Sequence, residues 1–484
     1  MFALLSRWLP LALVALAALW LRTHELTRRP MHADEANQAM KVGELLEHGR
    51  YAFDPQDHHG PTLYYAALPV ALVRGQTTIT SLDETTVRLV PALIGTLGVL
   101  LLFALALPLG HWPALSAAAL MAAAPASVYY SRYFVQETLL VTFVLALLVC
   151  ARHWWQTGGA SWALAAGACA GLTQATKASA PLFAACALLA FVAVTRTRPF
   201  SPRLTRDVLL ALSAALVVAA MFYSSFGTHL SGLRDALATY THASGRAAGG
   251  LSGHEKPFWY YLSLFGWHRA GGLLWQQLAF SLLAVAGLIV AFVTRKKFLI
   301  WAGLYTLLIV IALSLTPYKT PWHAVHLVPG FAFLGAGALA ALPFRPLAIA
   351  VVGCVLALQL TQTKLAAFLR PADARNPYAY VHSSPDVLKI PALASAALAR
   401  TPAGIIRVIS EEYWPLPWYL RAAPPASVGY WSTPPADCDG ALIIASAAHA
   451  VAVRARLHGD YHESYLGLRA GFLCVVFTPA TPTP

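Results

Sequence analysis

The chain has 484 residues, of which 58% are hydrophobic and 11% charged, with 34 Lys and Arg against 21 Asp and Glu and a net charge of +13. A soluble domain carries about 25% charged residues, so this composition excludes a globular protein whose whole surface faces water. The basic excess lies in loops between apolar runs, which points to membrane topology and lipid phosphate; nothing resembles a nucleic-acid-binding module, and no nucleic acid partner is expected.

In chain order, the first apolar run is 6–21, beginning beside Arg7. No small-residue cleavage site precedes Arg22, so it reads as an uncleaved span rather than a signal peptide. Further runs follow at 89–109, 113–130, 138–152, 162–176, 179–195, 208–226, 273–293, 298–316, 323–342 and 346–363, about eleven predicted spans in all. Cys150, Cys169, Cys186 and Cys354 lie within these runs and read as helix-packing residues. Arg196, Arg198, Arg203 and Arg206 crowd one short loop and Arg295, Lys296 and Lys297 another, and such loops stay cytoplasmic. The N-terminus is then inside. Loop 22–88, loop 131–137, the turn at Lys177, loop 227–272, turn 317–322 and the tail 365–484 are outside.

The chain thus divides into a transmembrane module, 1–364, and an extracytoplasmic tail, 365–484. In the tail, Pro-rich joints separate runs that read as strands (404–409, 440–445, 472–477) from stretches that read as helices (386–400, 411–421), which predicts a small α/β domain. Cys438 and Cys474 lie there, and an outer location leaves a disulfide between them open. No metal-type cysteine spacing occurs.

The first outer loop concentrates chemistry. Asp34, Asn37, Lys41, Glu44 and His48 recur at helical spacing opposite Ala36, Ala39, Met40, Gly43 and Leu46, and Gly49 suits a helix stop. This predicts an amphipathic helix lying at the membrane surface, with Asp34 and Glu35 near its N-terminus, where carboxylates are favoured. The segment 51–65 follows, with His58, His59, Tyr64 and Tyr65. It reads as a substrate-facing loop or as an interfacial turn with tyrosines in the aromatic belt.

Lys177 interrupts the apolar stretch 162–195, and a charge at membrane depth is costly unless it is paired or lines a cavity. Lys319 lies between Tyr318 and Trp322, and Arg132 lies near Glu137. All three are candidates to hold an anion; the alternatives are snorkelling for Lys177, interfacial anchoring for Lys319 and a salt bridge to Glu137 for Arg132. Arg88 opens the second span and reads as a topology determinant. Loop 227–272 contains His229, His242, His254 and His268 without a metal-ligand spacing, and Gly245, Gly249, Gly250 and Gly253 suit a segment that closes over substrate. Glu411, Glu412, Trp414 and Trp418 suit either acceptor reading or domain packing.

The run His32-Ala33-Asp34-Glu35, the segment 49–61, Leu63-Tyr64-Tyr65, residues 129–133 with Glu137, Thr176-Lys177, residues 318–322 and residues 414–420 together resemble the polytopic class C (GT-C) glycosyltransferases. These include the protein O-mannosyltransferases and the lipid A aminoarabinose transferases. The chain looks most like a prokaryotic branch described as flippase-activity-associated and linked to archaeal N-glycosylation. The resemblance implies an α-helical polytopic fold in the cytoplasmic (inner) membrane. It also implies inverting sugar transfer from a polyprenyl-phosphate donor to a protein, lipid or glycan acceptor on the outer, periplasmic face. Carried onto these positions, it makes Asp34 the general base, assisted by Glu35 and Glu137. Lys177, Lys319 and Arg132 suit the need to balance charge on the departing phosphate. Ala33-Asp34-Glu35 departs from the Asp-x-Asp pattern of metal-dependent members, so no required cofactor is expected. A lipid-linked-sugar flippase or a non-catalytic scaffold is the alternative reading, although no inverted repeat is evident.

Overall fold

The computed structural model describes residues 2–56, 59–195, 202–247 and 254–480. His58, Arg196, Arg198, Gly249, Gly250 and Gly253 lie outside them.

Helix α1 (Phe2–Thr23) is followed by α2 (Ala33–His48), α3 (Thr62–Val73) and α4 (Glu84–Ala106). Next come α5 (His111–Ala123), α6 (Pro125–Tyr130), α7 (Glu137–Thr157), α8 (Ala160–Gln174), α9 (Ala180–Thr195) and α10 (Pro202–Tyr223). Beyond α11 (Ser231–Ala247) and α12 (Tyr260–Leu264), a hairpin of β1 (Trp267–Ala270) and β2 (Leu273–Gln276) leads into α13 (Leu278–Thr294), α14 (Lys297–Leu315), α15 (Val328–Ala341) and α16 (Arg345–Thr363).

Among the described residues, six helical stretches are long and apolar enough to cross a membrane: Glu84–Leu109, Glu137–Thr157, Arg203–Tyr223, Lys297–Leu315, Pro321–Ala341 and Arg345–Leu369. Trp8–Thr23, Thr62–Val73, Ala180–Thr195 and Leu278–Thr294 are shorter apolar helices. Leu209, Leu216 and Val217 on α10 and Ile289 and Val293 on α13 stand exposed, an arrangement suited to lipid and not to water. The protein is a multi-pass membrane protein.

Two departures from the sequence expectation are local. The run 113–130 is split at Ala124, because Pro125 begins a new helix and cannot continue the old one. Loop 22–88 contains α3, an apolar helix of 12 residues that carries Pro69, so it lacks the length of a full span. A Gly-x-x-x-Gly pair packs α8 on α10: a Cβ on Gly167 would lie 2.1 Å from the Ala211 carbonyl oxygen, and one on Gly171 2.6 Å from that of Ala215. Close approach of this kind drives association where lipid removes the hydrophobic term.

In the tail, α17 (Ile390–Arg400), α18 (Leu416–Leu420) and α19 (Ala450–Arg454) accompany β3 (Ile406–Ile409), β4 (Val428–Trp431), β5 (Leu442–Ser446), β6 (Tyr461–Arg469) and β7 (Phe472–Pro479). The sheet order is β4-β3-β5-β7-β6, with β4, β3 and β5 parallel and β7 antiparallel to β5 and β6. Alternation sorts the side chains onto two faces. Ile406, Val408, Leu442 and Ile444 join Ile390 and Trp418 in the core shared with α2, α3 and α4, while Ile443, Ala445 and Phe477 pack with Val453. Cys438 belongs to the second core and Cys474 to the first, and both are free thiols, so the disulfide left open by the sequence is not formed.

The tail is tied to the first loop. Trp418, completely buried, donates its indole N–H to Glu84 Oε1 at 2.7 Å, the Tyr419 hydroxyl accepts from Met31 N at 2.8 Å, and Arg421 donates to the Leu82 carbonyl at 2.8 Å. Trp418 is therefore a packing residue and not a surface reader of substrate.

Candidate active site

The amphipathic helix forms as α2, and its N-terminus sets the first acid. His32 is the N-cap: its Nδ1 accepts from Asp34 N at 3.0 Å. The ring must then carry its proton on Nε2, which donates to the Tyr380 carbonyl at 3.1 Å. Burial lowers the His32 pKa, partly opposed by Asp34 and Glu35. One neutral tautomer thus starts the helix and joins it to the tail.

Adjacent residues on α2 have opposite environments. The Asp34 side chain is 43% exposed and lines a cavity of about 750 Å³, with its carboxylate 3.9 Å from His32 Nδ1. Glu35 is wholly buried and does not line the cavity. Its Oε1 accepts from Arg29 at 3.0 Å, Arg88 Nε at 2.9 Å and Phe134 N at 2.9 Å. Its Oε2 accepts from Arg88 Nη2 at 2.9 Å and from His32 N at 3.1 Å, which completes a capping box. Burial alone would raise its pKa, but Arg29 and Arg88 hold it well below the usual carboxylate range. Expected to assist Asp34 in the reaction, Glu35 is instead the hub of a structural ion cluster, because every lone pair it offers is already used.

The second acid meets the cavity from α7. Glu137 lies at the start of that helix and pairs with Lys177 through a close Nζ–Oε1 contact. His323 Nε2 is 3.3 Å from Lys177 Nζ and 3.8 Å from Glu137 Oε1, and its Nδ1 is 3.1 Å from the Tyr261 hydroxyl. Glu137, Lys177, Tyr261 and His323 all line the cavity that holds Asp34.

The segment with His59 holds the lysine in place. His59 bridges Lys177 in a short antiparallel pairing, with Gly60 N donating to the Thr176 carbonyl at 3.0 Å and Thr62 N to the Ala175 carbonyl at 3.3 Å. The Thr62 and Thr176 hydroxyls are 2.8 Å apart. A Cβ on Gly60 would lie 2.0 Å from the Ala175 carbonyl oxygen, so the approach needs glycine there.

The other nominated residues lie elsewhere. Tyr64 is buried, and its hydroxyl donates to Gln38, which lines the cavity and also accepts from Gln136 Nε2 at 3.1 Å; Tyr64 thus supports the wall from behind. Tyr65 turns away and bonds Ser225 at 2.6 Å. Arg132 does not pair with Glu137: it donates to the carbonyls of Leu21, His24 and Glu25, and its guanidinium sits over the Phe368 ring. Lys319 Nζ donates to the Lys256 carbonyl at 3.1 Å and the Thr316 carbonyl at 2.5 Å, which joins residues 254–256 to 317–319. Both cations are consumed by backbone oxygens that sequence spacing does not reveal.

Tyr261, His323, Tyr380 and Arg469 also line the cavity, although none of them belongs to the sequence motifs that mark Asp34, Glu137 and Lys177. His323 and His326 follow the 318–322 motif three residues apart, a spacing that sets both on one helical face. Arg469 comes from β6 and pairs closely with Glu412, a relationship visible only once the sheet is formed. Among the described residues, the one His, Cys and acidic group close enough to hold a metal is Asp437, Asp439 and His458, and none of these lines the cavity.

Comparison with known proteins agrees with this architecture. Residues 66–227 match the family model of the dolichyl-phosphate-mannose-protein mannosyltransferases. The fold superposes on ArnT from Cupriavidus metallidurans bound to undecaprenyl phosphate with a TM-score of 0.70, at 15% identity over 98% of this chain and 99% of that one. The archaeal oligosaccharyltransferase AglB from Archaeoglobus fulgidus, in complex with an inhibitory peptide and a dolichol-phosphate, matches with a TM-score of 0.57 at 14% identity, over 96% of this chain and 73% of that one. The search of curated proteins finds no match.

Proposed function

We propose that this chain, which has the class C fold of the polyprenyl-phosphate-sugar glycosyltransferases, transfers a sugar from a polyprenyl-phosphate donor to an acceptor at the outer face of the cytoplasmic membrane. The observation that carries the reading is one cavity lined by both the accessible carboxylate of Asp34 and the Lys177–Glu137 pair. Asp34 is the general base. It takes the proton of an acceptor hydroxyl or amine while the acceptor atom bonds to the anomeric carbon. The bond from that carbon to the phosphate oxygen breaks, and its electron pair stays on the phosphate. Lys177 meets the charge that gathers there, and Glu137 holds the ammonium in place on the cavity wall. Leu182, Phe183 and Leu313 form an apolar part of the cavity wall suited to the first isoprene units.

Two substitutions test this. Purified protein in lipid is given a panel of polyprenyl-phosphate sugars with membrane extract as acceptor, and released polyprenyl phosphate is measured. Wild type is expected to release it, Asp34→Asn to bind donor without release, and Lys177→Met to bind donor poorly. Full activity of Asp34→Asn would remove the base from this assignment.

A further inference from the structure

The group of residues around Lys177 contains a histidine for which the reaction as described has no use. His323 lines the cavity beside Lys177 and Glu137, and each of its ring nitrogens has a defined neighbour. The Lys177 ammonium has only protons to give. At 3.3 Å, His323 Nε2 therefore accepts from it, and the ring proton sits on Nδ1, directed at the Tyr261 oxygen 3.1 Å away. His323 Nε2 is thus an acceptor toward Lys177, with its one ring proton committed to the Tyr261 side.

A bound lipid phosphate reverses that balance. Glu137 already pairs with Lys177, so a phosphodiester brought to the same ammonium adds one negative charge beyond what Lys177 offsets. Beside the ammonium's carboxylate partner, the nearest group able to gain a compensating proton is His323 Nε2, whose acceptor role toward Lys177 ends when the ammonium turns to the phosphate. Resting on the transferase reading above, we propose that His323 is the second phosphate-binding residue and that donor binding takes one proton from solvent onto its Nε2, which then donates to a phosphate oxygen. Nδ1–H stays on the Tyr261 oxygen throughout, so that the ring does not turn. The charged and titratable neighbours are Lys177 from the α8–α9 turn, Glu137 from α7, Tyr261 from α12, His59 from the segment before α3 and His326 on the same helical stretch.

The probe is the methyl ester of undecaprenyl phosphate, a diester that carries one charge throughout the pH range and binds without turnover. Its affinity is measured on full-length protein in lipid nanodiscs from pH 6 to 8.5, with monodispersity confirming each variant. Wild type is expected to lose affinity as pH rises, by about tenfold per pH unit wherever one full proton is taken up with each ligand. His323→Gln, which offers an amide donor at every pH, is expected to bind with a flat profile, and His326→Gln to keep the wild-type slope. A flat wild-type profile that still needs Lys177, or an unchanged slope in His323→Gln, overturns the inference and leaves the proposed function standing. No saturable binding by folded wild type at any pH overturns the proposed function and this inference with it.

Discussion

Arg88 and Glu35 meet in a two-pronged ion pair, Nε to Oε1 at 2.9 Å and Nη2 to Oε2 at 2.9 Å, with both side chains wholly buried. Arg88 also donates to the carbonyls of Leu26, Arg29 and Pro30 at 2.6, 2.8 and 3.1 Å. One arginine at the start of the second predicted span therefore fixes the course of the chain into α2, and with it the position of Asp34.

Glu35→Ala and Arg88→Met are each expected to destabilise the folded protein by about 3–5 kcal/mol, because each strands a buried charge. Thermal unfolding in detergent is the direct measurement. Both variants should lose folded yield before any effect on chemistry can be read.

Asp34→Asn, one residue away, should behave oppositely. The side chain is half-exposed in the cavity, and the cap uses the Asp34 backbone N–H, which the substitution keeps. Melting temperature is expected to stay near wild type while transfer falls by about 10²–10⁴-fold, the usual contribution of a general base. A large drop in melting temperature would make Asp34 a structural residue.

Acidification should weaken the fold in two stages. Burial lowers the His32 pKa and takes that of His382 well below its ordinary value. The unfolded chain then binds more protons than the folded one, so stability is fully present above about pH 6.5 and falls as pH drops through that value. Glu35, whose folded pKa is depressed, adds a second loss below about pH 4.5. Melting curves between pH 8 and 4 should show both. His382→Phe is expected to flatten part of the upper stage, since its ring lies in the aromatic group of His32 and Tyr133 and the replacement does not titrate.

Gly60→Ala should damage transfer without touching a polar group. The new methyl would press on the carbonyl two residues before Lys177, and a displacement of about 1 Å in a reacting constellation can cost about 10²-fold. The readout is donor turnover at normal expression; activity within twofold of wild type would show that the Lys177 turn tolerates movement.

What the sequence determined by itself was local. Apolar runs located the six helical stretches that are long and apolar enough to cross a membrane, because hydrophobicity over a window depends on no distant partner. Helical spacing from Asp34 to His48 predicted α2, and the first-turn acids and Gly49 marked its ends. Three strands of the tail were legible from short apolar runs, whereas β4 and β6 were not: in β6 the exposed Tyr461–Tyr465 half carries His462, Glu463 and Ser464, so it lacks an apolar run. The identity of each charge's partner came only from the tertiary structure. Glu35 and Arg88 are 53 positions apart, Lys177 and Glu137 40, and His323 and Lys177 146. Adjacent acids on one helix turn point to different sides, so Asp34 reaches the cavity while Glu35 is buried among arginines. Arg132 and Lys319, equally cationic in sequence, are taken up by backbone carbonyls. Charge is a property of the residue, but whether it is free to meet a substrate depends on which distant oxygens folding brings within reach.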